Sequence, residues 1–253
     1  MHRERGNLQE AISAFRSTLQ IYQHIGALDP QSTNWPHGVA TSYELIGSVE
    51  LRAGNLGNAL KSYQSALRIR RQLVSVDPSN IIWSHAQVTT LCAIGDIHMA
   101  EKRYSQALEI YAEAKTNIEE LLKLDRANLY WKYDLGICHE RIGDIQQIMH
   151  KYAEAQASFL SKQHIIIELS LIDPQNFQWQ RDLFVSHMKL AQLMEQQELL
   201  DDALRHAEQC LPIIEQVVAS APTMTLWKQD LANARSNVMR LREKIKGKNE
   251  TLA

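Results

Sequence analysis

Asp77-Pro78-Ser79-Asn80-Ile81-Ile82-Trp83 is the stretch whose reading decides the fold. Proline cannot continue a helix, and the residue before it avoids the α region, so Asp77-Pro78 closes one helical segment. Asn80 is suited to cap the start of the next. Trp83 then leads that second segment. The corner returns every 48 residues: Asp29-Pro30 before Trp35, Asp125-Arg126 before Trp131, Asp173-Pro174 before Trp179 and Ala221-Pro222 before Trp227. Ala11, Ala59, Ala107, Ala155 and Ala203 keep the same register. An internal repeat of this kind is the strongest signal of architecture a sequence can carry.

Five copies form a small internal alignment. Ile25, Leu73, Leu121, Leu169 and Val217 are always aliphatic, as are Ile46, Ile94, Ile142, Leu190 and Val238. Ser42, Thr90, Cys138, Ser186 and Ala234 are always small. Large, small and aliphatic sites at constant places describe two surfaces that interlock closely. Within a copy the apolar residues Leu60, Tyr63, Leu67 and Val74 recur at helical steps. Asn80, Asn128, Asn176 and, one copy earlier, Ser32 stand where a helix cap is needed. Each copy is therefore expected to be a helical hairpin. Trp-led helices are expected near 34–52, 82–100, 130–148, 178–196 and 226–246, and their partners near 7–28, 55–76, 103–124, 151–172 and 199–220. The fold class is all-α, a right-handed superhelical solenoid of antiparallel helix pairs with about ten helices. A single array should fill residues 1–246, with a partial repeat over 1–28, units starting near 34, 82, 130 and 178, and a capping helix over 226–246. Residues 247–253 are expected to be a disordered tail.

Composition narrows the function. In 253 residues, 27 Lys plus Arg face 29 Asp plus Glu, a net charge of −2 that argues against a nucleic-acid-binding surface. Apolar residues at 45% with charged residues at 22% mark a globular chain. No apolar run is long enough for a membrane span. The opening MHRERGNLQE lacks the apolar core of a secretory signal. Cys92, Cys138 and Cys210 show no paired spacing, which points to reduced thiols and a cytoplasmic setting. No phosphate loop, H-E-x-x-H or G-x-S-x-G is present, so no catalytic residue, cofactor or metal is expected.

The residues resemble the tetratricopeptide repeat. That family places a Gly in the first helix, a Gly at the turn, then Ala, an aromatic and Ala in the second. Gly47, Gly54, Ala59, Tyr63 and Ala66 match in one copy, and Gly95, Ala107, Tyr111 and Ala114 in the next. Gly143, Ala155 and Phe159 match in the third, where Lys162 replaces the last Ala. The partial first copy keeps Gly6, Ala11 and Phe15, whereas the last is degenerate at Ala191, Ala207 and Cys210. The unit here is 48 residues instead of the family's 34. It is similar to the long D-P-x-N-x-x-W variety seen in bacterial multidomain signalling proteins.

The resemblance implies a non-enzymatic scaffold that binds a peptide or protein on a concave face lined by the first helix of each pair. Carried over, that face comprises Glu44, Ser48 and Arg52, then Cys92, Asp96 and Met99, then Glu140, Asp144 and Gln147, then Met188, Gln192 and Glu195. These positions change chemistry from copy to copy while the core positions do not. Plain solvation would give the same variability; the reading adopted is a binding surface. Five acids against one Arg suggest a somewhat basic partner and no binding of acidic chaperone tails. The alternative is a sensory or autoinhibitory arm of a larger signalling enzyme whose catalytic domain lies outside this chain.

Other residues are read as structural. Trp35, Trp83, Trp131, Trp179 and Trp227 are expected to seal each hairpin against its Asp-Pro corner. His37 and His85 share a repeat position, as do His139 and His187, but two imidazoles make a poor metal site. His206 and Cys210 lie one turn apart, with Cys210 at a packing position. Pro212 should kink its helix near Glu208. The helix over 7–28 lacks its first-type partner, which leaves Ala11 and Phe15 as an exposed apolar patch and a place for self-association. A chain cut from a longer array would leave the same patch.

Overall fold

The computed structural model describes residues 2–220 and 222–252, and the side chains of 7–220 and 222–250. Ala221 and the last residue of the expected tail fall outside what is described, as does the packing around Gly6. Ten helices follow one another: α1 (His2–Leu28), α2 (Asn34–Arg52), α3 (Leu56–Val76), α4 (Ile81–Ala100), α5 (Tyr104–Leu124), α6 (Leu129–Ile148), α7 (Tyr152–Ile172), α8 (Phe177–Gln196), α9 (Leu200–Ser220) and α10 (Thr225–Leu252). No strand occurs among the described residues. The fold is an all-α helical-repeat solenoid, divided into two compact units, Met1–Ala127 and Asn128–Ala253. The repeat by itself suggests one array.

The corner motif works as its residues suggest. Asp77 accepts the Ser79 amide at 3.0 Å, Asp125 that of Ala127 at 3.0 Å and Asp173 that of Gln175 at 3.1 Å. One step on, the side chains of Asn80, Asn128 and Asn176 each accept the backbone N–H of the following Trp at 3.2 Å. Two short side chains thus satisfy donors that the helix start leaves orphaned. The first corner differs. Ser32 accepts from the Asn34 amide at 3.3 Å, and no side chain caps α2. There the Trp35 indole donates to Asp29 at 3.1 Å and holds the corner from the other side.

The inner turn of each hairpin repeats a left-handed residue: Gly54 at φ 79°, Lys102 at 58°, His150 at 59° and Glu198 at 60°. All four carry the same place in the 48-residue register. Only the first is the glycine that such a φ favours.

Each second-type helix presents a buried seam. It runs through Ala59, Tyr63, Ala66, Arg70 and Leu73 in α3, Ala107, Tyr111, Ala114, Ile118 and Leu121 in α5, Ala155, Phe159, Lys162, Ile166 and Leu169 in α7, and Ala203, Ala207, Cys210, Ile214 and Val217 in α9. Each residue is buried, at steps of three and four that keep one helix face inward. The always-aliphatic and always-small positions of the first-type helices are buried against this seam. A close contact explains the glycines. A Cβ on Gly47 would come 2.9 Å from the Tyr63 ring, one on Gly95 2.7 Å from Tyr111, and one on Gly143 2.6 Å from Phe159.

One expectation at the C-terminal end is corrected. α10 passes residue 246 and continues to Leu252, so residues 247–252 are helical where a disordered tail was expected. A lone Gly247 costs a helix only about 1 kcal/mol, and Lys246 pairs with Glu250 one turn on, at 3.8 Å. α9 runs unbroken from Leu200 to Ser220 with Pro212 inside it.

Candidate functional site

In the first unit, α2 and α4 stand side by side. Thr90 of α4 donates to Glu44 of α2 at 2.6 Å, a bond between residues 46 apart. In the second unit Gln147 donates to Gln196 at 2.8 Å between α6 and α8, and Arg181 to Asp230 at 2.8 Å between α8 and α10. Partners separated by nearly one repeat mean that first-type helices form a layer within each unit. That layer carries the twelve candidate positions.

The structure gives those positions unequal roles. Ser48, Arg52, Asp96 and Gln192 are exposed, while Cys92, Met99, Gln147 and Met188 are half-buried. The acids are largely committed inside the fold. Arg70 of α3 is 1% exposed; its Nη2 holds Glu44 at 2.8 Å and also donates to Thr41 at 2.9 Å, while Nη1 donates to His37 Nδ1 at 2.7 Å. His37 is thereby an acceptor, and burial with the adjacent guanidinium lowers its pKa. In the second unit Glu140 binds Lys162 of α7 and, at 3.1 Å, Lys189 of α8. Burial alone would raise Glu140, but the two ammonium groups outweigh it and keep the carboxyl lowered. Lys189 also binds Asp144, whose pKa burial nevertheless raises. Asp96 accepts the Tyr111 hydroxyl at 2.5 Å. Glu195 takes Arg240 at 2.7 Å and Lys244 at 3.2 Å, and the Arg240 hydrogen bonds pull it down to about 2.

The expectation of a basic partner counted these acids as free. Glu44, Glu140, Asp144 and Glu195 are paired with cations from other helices and Asp96 with the Tyr111 hydroxyl, so these acids are far less available than their number implies. Arg70, Lys162, Lys189 and Arg240 are the residues that sequence reasoning missed. A signal for two of them was present. Where the stripe has Glu44 or Glu140 the facing seam holds Arg70 or Lys162, and where it has Cys92 or Met188 the seam is Ala114 with Ile118 or Cys210 with Ile214.

The remaining candidates have structural surroundings. His187 meets His206 of the paired helix, with Nδ1 atoms 3.3 Å apart, and burial first and His206 second push His187 down to about 4. Cys210 is buried, donates to the Ala207 carbonyl at 3.0 Å and lies 3.4 Å from Met188 Sδ; burial pushes its thiol up to about 12. Among the described residues no group of three or more His, Cys, Asp or Glu could hold a metal ion. No described helix is long and apolar enough to cross a membrane. Trp131 is buried, and the other four tryptophans are half-buried beside their corners.

Residues 39–79, which span most of α2, all of α3 and the corner after it, match the tetratricopeptide repeat family model. Residues 39–79 carry a tetratricopeptide repeat. No curated protein matches it in sequence. Among solved structures it is similar to BtubC (BKLC) from P. vanneervenii, with TM-score 0.59, 14% identity, and 96% of this chain and 92% of that one covered. The apo form of RapI gives TM-score 0.65 at 14% identity over 97% of this chain and 62% of RapI. A signal transduction ATPase with numerous domains and a tetratricopeptide repeat sensor, from Pyrococcus horikoshii, gives TM-score 0.62 at 14% identity. The alignment takes in 97% of the present chain but only 36% of that ATPase. At such identities the likeness is one of fold.

Proposed function

We propose that this tetratricopeptide repeat chain is a non-enzymatic scaffold, in a cytoplasmic setting, that binds a protein or peptide along its first-type helices. One observation carries the reading: a buried, largely constant seam supports first-type helices whose outward residues vary between copies. The exposed Ser48, Arg52, Asp96 and Gln192 are the first points of contact, and shape and hydrogen bonding select the partner more than positive charge does. The part-exposed Ala11 and Phe15 on α1, with Ile21 at 58% exposure, support self-association through that helix. Photo-crosslinkers placed at Arg52 and Gln192 should capture partner in cells far more efficiently than the same group at Glu154 or Leu171 on α7. Adducts confined to α7 would overturn the reading.

A second reading is favoured by the Pyrococcus structure, whose repeats are described as the sensor of a signal transduction ATPase. In that reading the present repeats are the sensory or autoinhibitory arm of a long-repeat signalling protein. An effector domain in frame with this coding sequence would support it.

A further inference from the structure

A cavity of about 340 Å3 opens in the first unit, where the ends of α3 and α5 meet the start of α4. Val74, Leu121 and Leu124 give it apolar walls, and Gln87, Asn117 and Glu120 give it polar groups. Gln87 is only 8% exposed, yet its side-chain carbonyl oxygen has no hydrogen-bond partner. A buried acceptor left unpaired costs roughly 1–3 kcal/mol.

The repeat shows that the fold does not require this arrangement. The equivalents of Gln87 are Val39, Leu135, Leu183 and Leu231, and those of Asn117 are Ile21, Ile69, Ile165 and Ile213. Both places are aliphatic in the other four copies. In the second copy alone both carry amides, and both line one cavity. Two facing departures toward polarity, one of them with an orphaned oxygen, are the arrangement of a pocket that meets a ligand's hydrogen-bonding groups inside apolar walls. The volume lies near the lower end of the range of about 300–1,000 Å3 for ligand pockets, which suits one side chain with its peptide unit. Glu120 at the rim disfavours an anion. The orphaned acceptor calls for a donor, which a polypeptide supplies as its backbone N–H.

We propose that this cavity receives a single leucine-like side chain of a partner polypeptide. On binding, the Gln87 amide turns so that Oε1, shut off from solvent in the free chain, accepts the peptide N–H beside that side chain, and a peptide carbonyl accepts from the Asn117 amide. The site goes beyond the first-helix layer. At 3.6 residues per turn Gln87 and Cys92 lie about 140° apart around α4, so the cavity faces away from the stripe.

The test is an NMR titration of the full ¹⁵N-labelled chain with N-acetyl-leucinamide, using N-acetyl-glycinamide as control. Saturable shifts of the Gln87 and Asn117 side-chain amides and of residues 121–124, with the leucine probe only, are expected. The variant Gln87→Leu with Asn117→Ile restores the residues of the other copies. It should fold, melt at a higher temperature, and bind the probe at least about tenfold more weakly, the loss of one good hydrogen bond. Shifts that never saturate, equal binding by the double variant, or a lower melting temperature for it would each overturn the proposal. The probe and the cavity residues are separate from the α2 and α8 crosslinking positions, so this result and that one fail independently.

Discussion

A single hydrogen atom separates tolerance from collision at Gly95. A methyl group there would lie 2.7 Å from the Tyr111 ring, closer than packed carbons approach. Gly95→Ala should therefore lower stability in urea by about 1–3 kcal/mol, the usual effect of overpacking. The last copy shows the complementary solution, with Ala191 facing Ala207 where the others have glycine and a ring. Adding Tyr111→Ala to Gly95→Ala should then cost less than the sum of the two changes, a non-additivity that a double-mutant cycle reads directly. The left-handed turn makes the opposite case. Lys102 at φ 58° bears a steric penalty that glycine avoids, so Lys102→Gly should be neutral or stabilising by up to about 1 kcal/mol. A loss of stability there would mean that the turn draws on the lysine side chain.

At the scale of helices, two neighbouring seam positions are each filled in two chemical ways. Arg70 with Glu44, and Lys162 with Glu140, put ion pairs where the other copies put sulfur and aliphatic groups. Removing one partner strands a buried charge. Arg70→Ala should thus cost about 3–5 kcal/mol, whereas Arg70→Ile with Glu44→Cys, the residues of the next copy, should cost much less. The α8–α9 contact sets a pH dependence. His187 titrates near 4 in the folded chain against 6.5 when unfolded. Its folded pKa is depressed, so the unfolded chain takes up protons that the folded one refuses. Stability should be full above about pH 6.5 and fall as pH drops toward 4. His206 shifts the same way, through burial first and Arg205 second. Urea midpoints at pH 7 and 5 should differ less in His187→Gln than in the parent; an unchanged difference would move the effect elsewhere.

For the whole molecule the unpartnered face of α1 is the feature with a mass-scale consequence. Ile21 is 58% exposed, where its equivalents Ile69, Ile165 and Ile213 are half-buried. Light scattering should give a concentration-dependent mass above the 29.0 kDa monomer, and Ile21→Lys should return it to the monomer value. A monomer at every concentration would remove the proposed self-association. What the amino-acid order determined by itself is the local and periodic part: ten helices close to their expected bounds, the Asn caps, and the seam of Ala, aromatic and aliphatic positions. Helix periodicity and corner chemistry act over a few residues, so they are readable along the chain. Only the tertiary structure decided how the acids of the first-helix layer are paired, that α10 runs on past residue 246, and that Gln87 lines a cavity with its oxygen unpaired. Glu44 lies 26 residues from Arg70, and Glu195 lies 45 from Arg240. A charge's environment is set by whichever distant helix packs beside it, and spacing along one helix does not carry that information.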